Sequence, residues 1–340
     1  MTAWNGGPSL RFGSDAEPGI RRRGRTRFSY HNERTGRPAS KRDRERISAL
    51  AVPPAWTDVW IAADPTSHVQ ATGRDARGRK QYRYHPDFME SRSDHKFADL
   101  VPFGTALGRL RRRVDRDIRS GGLDHDRVVA VVVRLLDVTG LRVGNAEYAR
   151  DNHSFGLTTL RDRHAVVRGS TISLAFRGKS KHAFDVSVDS VRLAGIVRRC
   201  QNLPGQHLFQ YRAADGEVGT VCSSDVNGYL AEHGSASMSA KTFRTWNASV
   251  LAAEGLVQAA SDGGEPTAVV VNDVIDHVAD ELGNTRSVCR ASYVHPAIVD
   301  AFLDETLLAR WRRPVGQKPT GITVVERRVL RLLKGVQQPG

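Results

Sequence analysis

Ile172-Ser173-Leu174-Ala175-Phe176-Arg177-Gly178-Lys179-Ser180-Lys181 is the stretch that decides the fold. Ile172, Leu174 and Phe176 alternate with Ser173 and Ala175, and beyond the basic turn Phe184, Val186 and Val188 alternate with Asp185 and Ser187. A period of two on both sides of a glycine-containing turn predicts a β-hairpin within residues 164–189. Its surroundings read differently. Upstream, Arg127 to Val138 is nearly all apolar, too short to cross a membrane, and reads as a buried core helix, its β-branched content leaving a buried strand open. A basic helix is expected near Thr105 to Arg119. Downstream, Val191, Ala194, Val197 and Cys200 follow helical spacing, with Pro204-Gly205 as the stop. Ser223 and Ser224 are candidate caps for the next helix, and Ser239 caps one carrying Phe243, Trp246 and Val250. Gly283 closes a helix over 268–282, and Pro296 opens one through Trp311.

Toward the N-terminus the texture changes to short strands. Val59-Trp60-Ile61, His68 to Thr72 and Gln81 to His85 read as strands separated by turns. The fold class expected is therefore α+β: a small, mostly β domain over 26–100, then a larger, mostly α domain over 105–340 that carries the hairpin. Residues 1–25, rich in Gly, Pro and Arg without a period, read as a flexible basic tail.

Lys and Arg number 51 against 37 Asp and Glu, a formal charge of +14. Up to Ile47 there are twelve basic and five acidic residues, so that 12 − 5 = 7 puts half of the net charge in the first seventh of the chain. Such an excess points to a polyanion, nucleic acid first, held without regard to sequence. The three cysteines, Cys200, Cys222 and Cys289, form no CxxC pair, and no signal peptide or long apolar run is visible, which fits a reducing, cytoplasmic setting. The run from Gly73 to Lys80 lacks the Lys-Ser/Thr ending of a phosphate loop. HExxH, GxSxG and the acidic cluster of two-metal nucleases are absent, so no metal site and no nucleotide cofactor are expected.

Transesterification of a phosphodiester needs an in-line nucleophile, cationic donors for the phosphate oxygens and a proton donor for the leaving 5′ oxygen. Four segments supply such groups in order: Thr139-Gly140-Leu141-Arg142-Val143-Gly144-Asn145-Ala146-Glu147-Tyr148, Phe176 to Lys181, Lys241-Thr242-Phe243-Arg244-Thr245-Trp246, and Asn284 nine residues before Ser292-Tyr293. Together with Pro53-Pro54-Ala55-Trp56 and Gln70 to His85, they resemble the compact type IB DNA topoisomerases of bacteria and poxviruses over about residues 28–310.

The resemblance implies a fold of the tyrosine recombinase and topoisomerase IB type, acting as a monomer clamped on double-stranded DNA at the nucleoid. It implies Tyr293 as nucleophile, Arg142, Arg244 and Asn284 as ligands of the phosphate, and Lys179 as general acid, with Lys181 a competitor. Many family members carry histidine where Asn284 stands; asparagine can only hydrogen-bond there. Lys241 and Tyr148 fall where backbone phosphate is held, and Arg79, Lys80, Gln81 and Tyr82 where the N-terminal domain touches the major groove. The implied activity is relaxation of supercoils through a 3′-phosphotyrosine, with neither ATP nor metal. A tyrosine recombinase shares the residue order but usually has histidine at the position of Lys241, and its N-terminal domain is typically helical. A non-catalytic DNA-binding protein is the rival from another class. For each side chain alone a structural role is the plain alternative: Tyr293 as a core aromatic, Arg142 as a cap, Lys179 and Lys181 as a solvated turn.

Overall fold

The computed structural model describes residues 10–24, 27–89, 97–235, 238–316 and 321–337. The chain divides into two compact units, Met1–Lys96 and Phe97–Gly340.

In the first unit, strands β1 (Ile20–Arg23), β2 (Ser29–Asn32), β3 (Thr57–Ile61), β4 (Val69–Arg74) and β5 (Lys80–Tyr84) form one antiparallel sheet in the order β2-β1-β3-β4-β5. The three expected strands are present as β3, β4 and β5. Strand β1 corrects the reading of residues 1–25 as a tail. It lies inside the sheet, with Ile20 buried against Val59, Ile61 and Ala71. Its arginines are structural: Arg21 pairs with Glu33 at 2.8 Å, and Arg22 donates to the carbonyls of Pro53 (3.1 Å), Pro54 (3.3 Å) and Trp56. Residues 1–9 of that tail lie outside the described residues. A second element that the sequence reading missed is helix α1 (Lys41–Ala49), capped by Ser40, whose side chain accepts from the Asp43 N–H. It buries only Ile47, and Arg46 ties it to the sheet through the Ala62 carbonyl at 2.6 Å and Gln70 at 3.0 Å.

The second unit begins with α2 (Leu100–Arg119), one turn earlier than expected because Pro102 sits harmlessly in the first turn. The valine-rich segment is helix α3 (His125–Thr139), not a strand: Asp124 caps its start and Gly140, at φ 60°, its end. Residues 128–133 are all at most 1% exposed, so every face of this helix is core. Next come α4 (Ala146–Asn152) and the sheet β6 (Ala165–Arg168), β7 (Thr171–Arg177), β8 (Ala183–Asp189). Phe176 pairs with Phe184 across the hairpin. The remainder is α5 (Val191–Gln201), a small ribbon β9 (Gln210–Arg212) and β10 (Val218–Thr220), α6 (Ser223–His233), α7 (Ala240–Ser261), α8 (Ala268–Leu282), α9 (Arg286–Ser292), α10 (Pro296–Leu303), α11 (Leu307–Arg312) and α12 (Val324–Gln337). The ribbon stands between two helices, and the cap of α6 is Cys222 rather than Ser223 or Ser224. The expected helix from Pro296 to Trp311 breaks at residues 304–306, where Glu305 takes φ 57°.

Helix α12 packs Val329 and Leu333 into the core. Its Glu326 receives Arg111 of α2 at 2.8 Å and the Trp246 indole of α7 at 3.2 Å, while Arg111 also grips Asp137 of α3 at 2.7 Å. Burial raises the Glu326 carboxyl, but the hydrogen bond and charge of Arg111 outweigh it and hold the group below the usual carboxylate range. Its stabilising effect is therefore present above the unfolded-state value and lost as the pH falls through the lowered one. Glu326→Ala leaves Arg111 buried with half its partners and is expected to cost about 3 kcal/mol, read as a lower midpoint in urea unfolding.

Candidate active site

Five elements of the second unit deliver side chains to one cleft of about 340 Å³, whose wall includes Arg142, Tyr148, Lys179, Lys241, Arg244 and Tyr293. Arg142 follows the left-handed cap of α3. Its loop is strapped down because its carbonyl accepts from the Leu157 N–H (2.9 Å) and the Val143 carbonyl from the Thr158 N–H (2.7 Å). Tyr148 sits in the first turn of α4, whose cap Asn145 accepts from the Tyr148 N–H at 3.0 Å. Lys241 and Arg244 stand on the first turns of α7.

Lys179 begins the tight turn of the β7–β8 hairpin, in which Ser180 and Lys181 take φ 61° and 62°. Both lysines are exposed, but only Lys179 reaches the cleft wall. Gly178 places it: a Cβ there would lie 2.6 Å from the Phe184 ring. At Gly283, with φ 59°, an added Cβ would likewise lie 2.6 Å from that ring, and this glycine closes α8 just ahead of Asn284. Gly178→Ala is expected to displace the turn and Lys179 with it and to cost about 1–3 kcal/mol, read as a lower midpoint in urea unfolding.

Arg244 is 3% exposed and held by two carbonyls, donating to Gly140 and, at 2.7 Å, to Leu282. Its guanidinium carbon stands 5.2 Å from the centre of the Tyr293 ring. Burial, then the charge of Arg142, lowers it to about 10. Arg142 donates to the Asn284 side-chain oxygen at 2.6 Å. Arg142 Nη1 and Arg244 Nε are both buried, and neither has an acceptor. Buried guanidinium N–H groups left in this way favour an anion held between them.

Tyr293 caps the C-terminus of α9, half-buried. The backbone around it is pinned by Ser249, fully buried on α7, which donates to the Tyr293 carbonyl and accepts from the His295 N–H, both at 3.1 Å. Burial raises the phenol; Arg244 and then Arg142 outweigh it and hold it below the ordinary tyrosine value. A phenolate forms more readily there. The Tyr293 phenol is expected to ionise below the usual tyrosine range, and Arg142→Gln to move its ionisation upward, read from the pH dependence of tyrosine absorbance.

Asn284 does not line the cleft; its oxygen takes Arg142 and its amide nitrogen lies 3.5 Å from the Leu282 carbonyl. Among the described residues no three His, Cys, Asp or Glu side chains gather as a metal site, and no helix is long and apolar enough to cross a membrane.

The catalytic-core family of eukaryotic DNA topoisomerase I matches residues 85–310, well over half of the chain, and every cleft residue falls inside that span. DNA topoisomerase 1B of Acanthamoeba polyphaga mimivirus is 30% identical over 276 residues, 79% of this chain and 82% of its own. The chain belongs to the type IB DNA topoisomerases. The N-terminal domain family of bacterial DNA topoisomerase IB matches residues 27–75 of the same topoisomerase. DNA topoisomerase 1B of Vaccinia virus is 24% identical over 148 residues, 42% of this chain and 47% of its own, and DNA topoisomerase 1 of Mycosarcoma maydis 27% identical over 193 residues, 50% of this chain and 19% of its own.

In the first unit of this topoisomerase the four groove-facing candidates share edge strand β5 and the turn before it, and three are engaged within the protein. Arg79 and Gln81 both reach Asp75, at 2.8 and 3.0 Å, and Lys80 reaches Asp15 at 2.6 Å. Tyr82 is 45% exposed and stacks on Tyr84. Sequence reasoning missed Ser249 and the carbonyls of Gly140 and Leu282. A serine inside a helix and a backbone carbonyl carry no signal of their own.

Proposed function

We propose that this topoisomerase relaxes supercoiled duplex DNA by cutting one strand through Tyr293 and resealing it, with neither ATP nor a metal ion. The observation that carries this reading is the pair of unsatisfied buried N–H groups, on Arg142 and Arg244, in a cleft shared with the Tyr293 phenol.

The phenolate oxygen attacks the scissile phosphorus while Arg142 and Arg244 take up the charge growing on the non-bridging oxygens. The bond to the 5′ oxygen breaks, and Lys179 gives that oxygen its proton. The 3′-phosphotyrosine keeps the energy of the original ester, so the 5′ hydroxyl can return, expel the phenolate and hand its proton back to Lys179. Between the two steps the free end rotates. Asn284 acts by aiming Arg142, which its side-chain oxygen already accepts from. Lys241 and Tyr148 hold flanking backbone phosphates. Lys80, Arg79, Gln81 and Tyr82 meet the duplex by exchanging their internal partners for it, and one protomer suffices for the whole cycle at the nucleoid.

The test is incubation of the purified chain with supercoiled plasmid in EDTA without ATP. Relaxed circles are expected; plasmid left supercoiled by well-folded protein at low salt rejects the reading.

A further inference from the structure

In the first unit, the chain ahead of β1 crosses the outer face of the sheet. Thr72 of β4 stands in register with Trp60 of β3 and Tyr82 of β5, so these three side chains share one face. The opposite face is core, where Val59, Ile61 and Ala71 pack with Ile20 and Ile47. Residues 11–17 lie over the Trp60–Thr72–Tyr82 side. The Glu17 carbonyl accepts from the Trp60 indole at 2.9 Å, and the Phe12 ring sits 4.6 Å from that of His68.

Both ends of this segment are fastened. At one end the Arg11 N–H donates to the Thr66 carbonyl at 3.0 Å and the Arg11 carbonyl accepts from the His68 N–H at 2.8 Å. At the other the chain runs into β1. Between them Asp15 holds the sheet with a single oxygen. Its Oδ2 accepts from the Thr72 hydroxyl at 2.9 Å and meets the Lys80 ammonium at 2.6 Å. Thr72 is polar and on the outer face, yet only 3% exposed, because the segment covers it. Glu17, the other acid of the segment, is taken by Arg11.

An ammonium and a hydroxyl converging on one anionic oxygen form the donor set that a DNA phosphate takes. Lys80 also stands beside Tyr82, its Nζ 5.6 Å from the centre of that ring. The contact can exchange: a partly exposed ion pair contributes little in water, and a duplex offers many phosphates at once.

We propose that Asp15 stands in for a DNA phosphate, and that residues 11–17 are a strap which duplex DNA displaces from Thr72 and Lys80 as the first unit grips it. This rests on the reading that Lys80 meets the duplex, and adds an internal competitor that sets how tightly.

The test is a titration of the full chain with a short labelled duplex, read by fluorescence anisotropy, for wild type, Asp15→Asn, Lys80→Gln and the double variant. Asparagine keeps an oxygen for the Thr72 hydroxyl and loses the charge that faces Lys80. Asp15→Asn is expected to bind about threefold more tightly, the effect of one exposed ion pair withdrawn from competition. A contact that served the fold alone would give no such gain on removal. In the Lys80→Gln background the same change has no effect, because the competitor has lost what it competes for. Adduct formation at saturating duplex is the same for Asp15→Asn and wild type, since the cleft belongs to the second unit.

An Asp15→Asn affinity equal to or weaker than wild type, with Lys80→Gln still weakening binding, overturns the strap and leaves Lys80 on the duplex. A gain of equal size in both backgrounds is the general effect of one fewer negative charge and also overturns it. So does slower adduct formation by Asp15→Asn at saturation. Lys80→Gln without effect in either background overturns the strap together with the placing of Lys80 on DNA. The expected pattern of affinities on a duplex that is never cut supports the strap and contradicts the cutting reaction alone.

Discussion

Tyr293→Phe is expected to bind duplex DNA as wild type does while losing relaxation and the covalent adduct altogether. The substitution deletes one oxygen from a half-buried ring at the end of α9. The backbone hold of Ser249 on residues 293–295 does not involve the phenol, so the fold has no reason to change. What disappears is the atom proposed to attack phosphorus. Removing a covalent nucleophile from an assembled site costs about 10⁴-fold or more in rate, which in a plasmid assay is no activity. Binding, expected to rest on phosphate contacts that do not involve this oxygen, should survive. Relaxation by the phenylalanine variant would mean that another residue attacks.

The second large effect is expected at Arg244. Arg244→Gln should slow adduct formation by about 10²–10³-fold, the usual loss for one donor to a developing oxyanion. Affinity for duplex should change little, its salt slope falling by about one. Arg244→Lys should be nearly as slow. The guanidinium spans the carbonyls of Gly140 and Leu282 and still has Nε to offer, whereas a single ammonium cannot hold both carbonyls and a phosphate. Each carbonyl left unpaired costs about 1–3 kcal/mol, so both variants should also unfold earlier in urea. Single-turnover cleavage beside a binding titration separates these effects. Rate and affinity falling by the same factor would assign Arg244 to ground-state binding.

The parts of the fold legible in the sequence are those in which a single local pattern decides the structure. Residues 172–188 alternate because one face of the hairpin is core: Ile172, Leu174, Phe176 and Phe184 are buried, and the polar residues between them are not. Gly283 closes α8 where only a left-handed residue serves. The valine-rich segment was ambiguous because a helix buried on all sides has no period to show, and it is Asp124 and Gly140 at its ends that fix it. Strand β1 was hidden because three arginines in a row look like a solvated tail until their acceptors are known, and Pro53, Pro54 and Trp56 lie more than thirty residues away. Helix α12 was passed over for the same reason. Glu326 is 215 residues from Arg111, and the resemblance that guided the reading stops near residue 310.

At the site, residue types in order were enough to name Arg142, Lys179, Lys241, Arg244 and Tyr293, and the structure brings all five to one cleft. The order of residues did not show how they are held. Asn284 stands behind Arg142 instead of on the cleft wall, and what fixes Arg244 is a pair of backbone carbonyls, which any residue would supply.

The most direct test is to trap the protein–DNA adduct with denaturant, digest it with trypsin and locate the attached nucleotides. Cleavage after Arg290 and Arg310 releases a peptide in which Tyr293 is the sole tyrosine. The expected product is that peptide joined through Tyr293 to a 3′ phosphate, with a free 5′ hydroxyl on the other DNA end. Nucleotides found on any other residue, or joined through a 5′ phosphate, contradict the account.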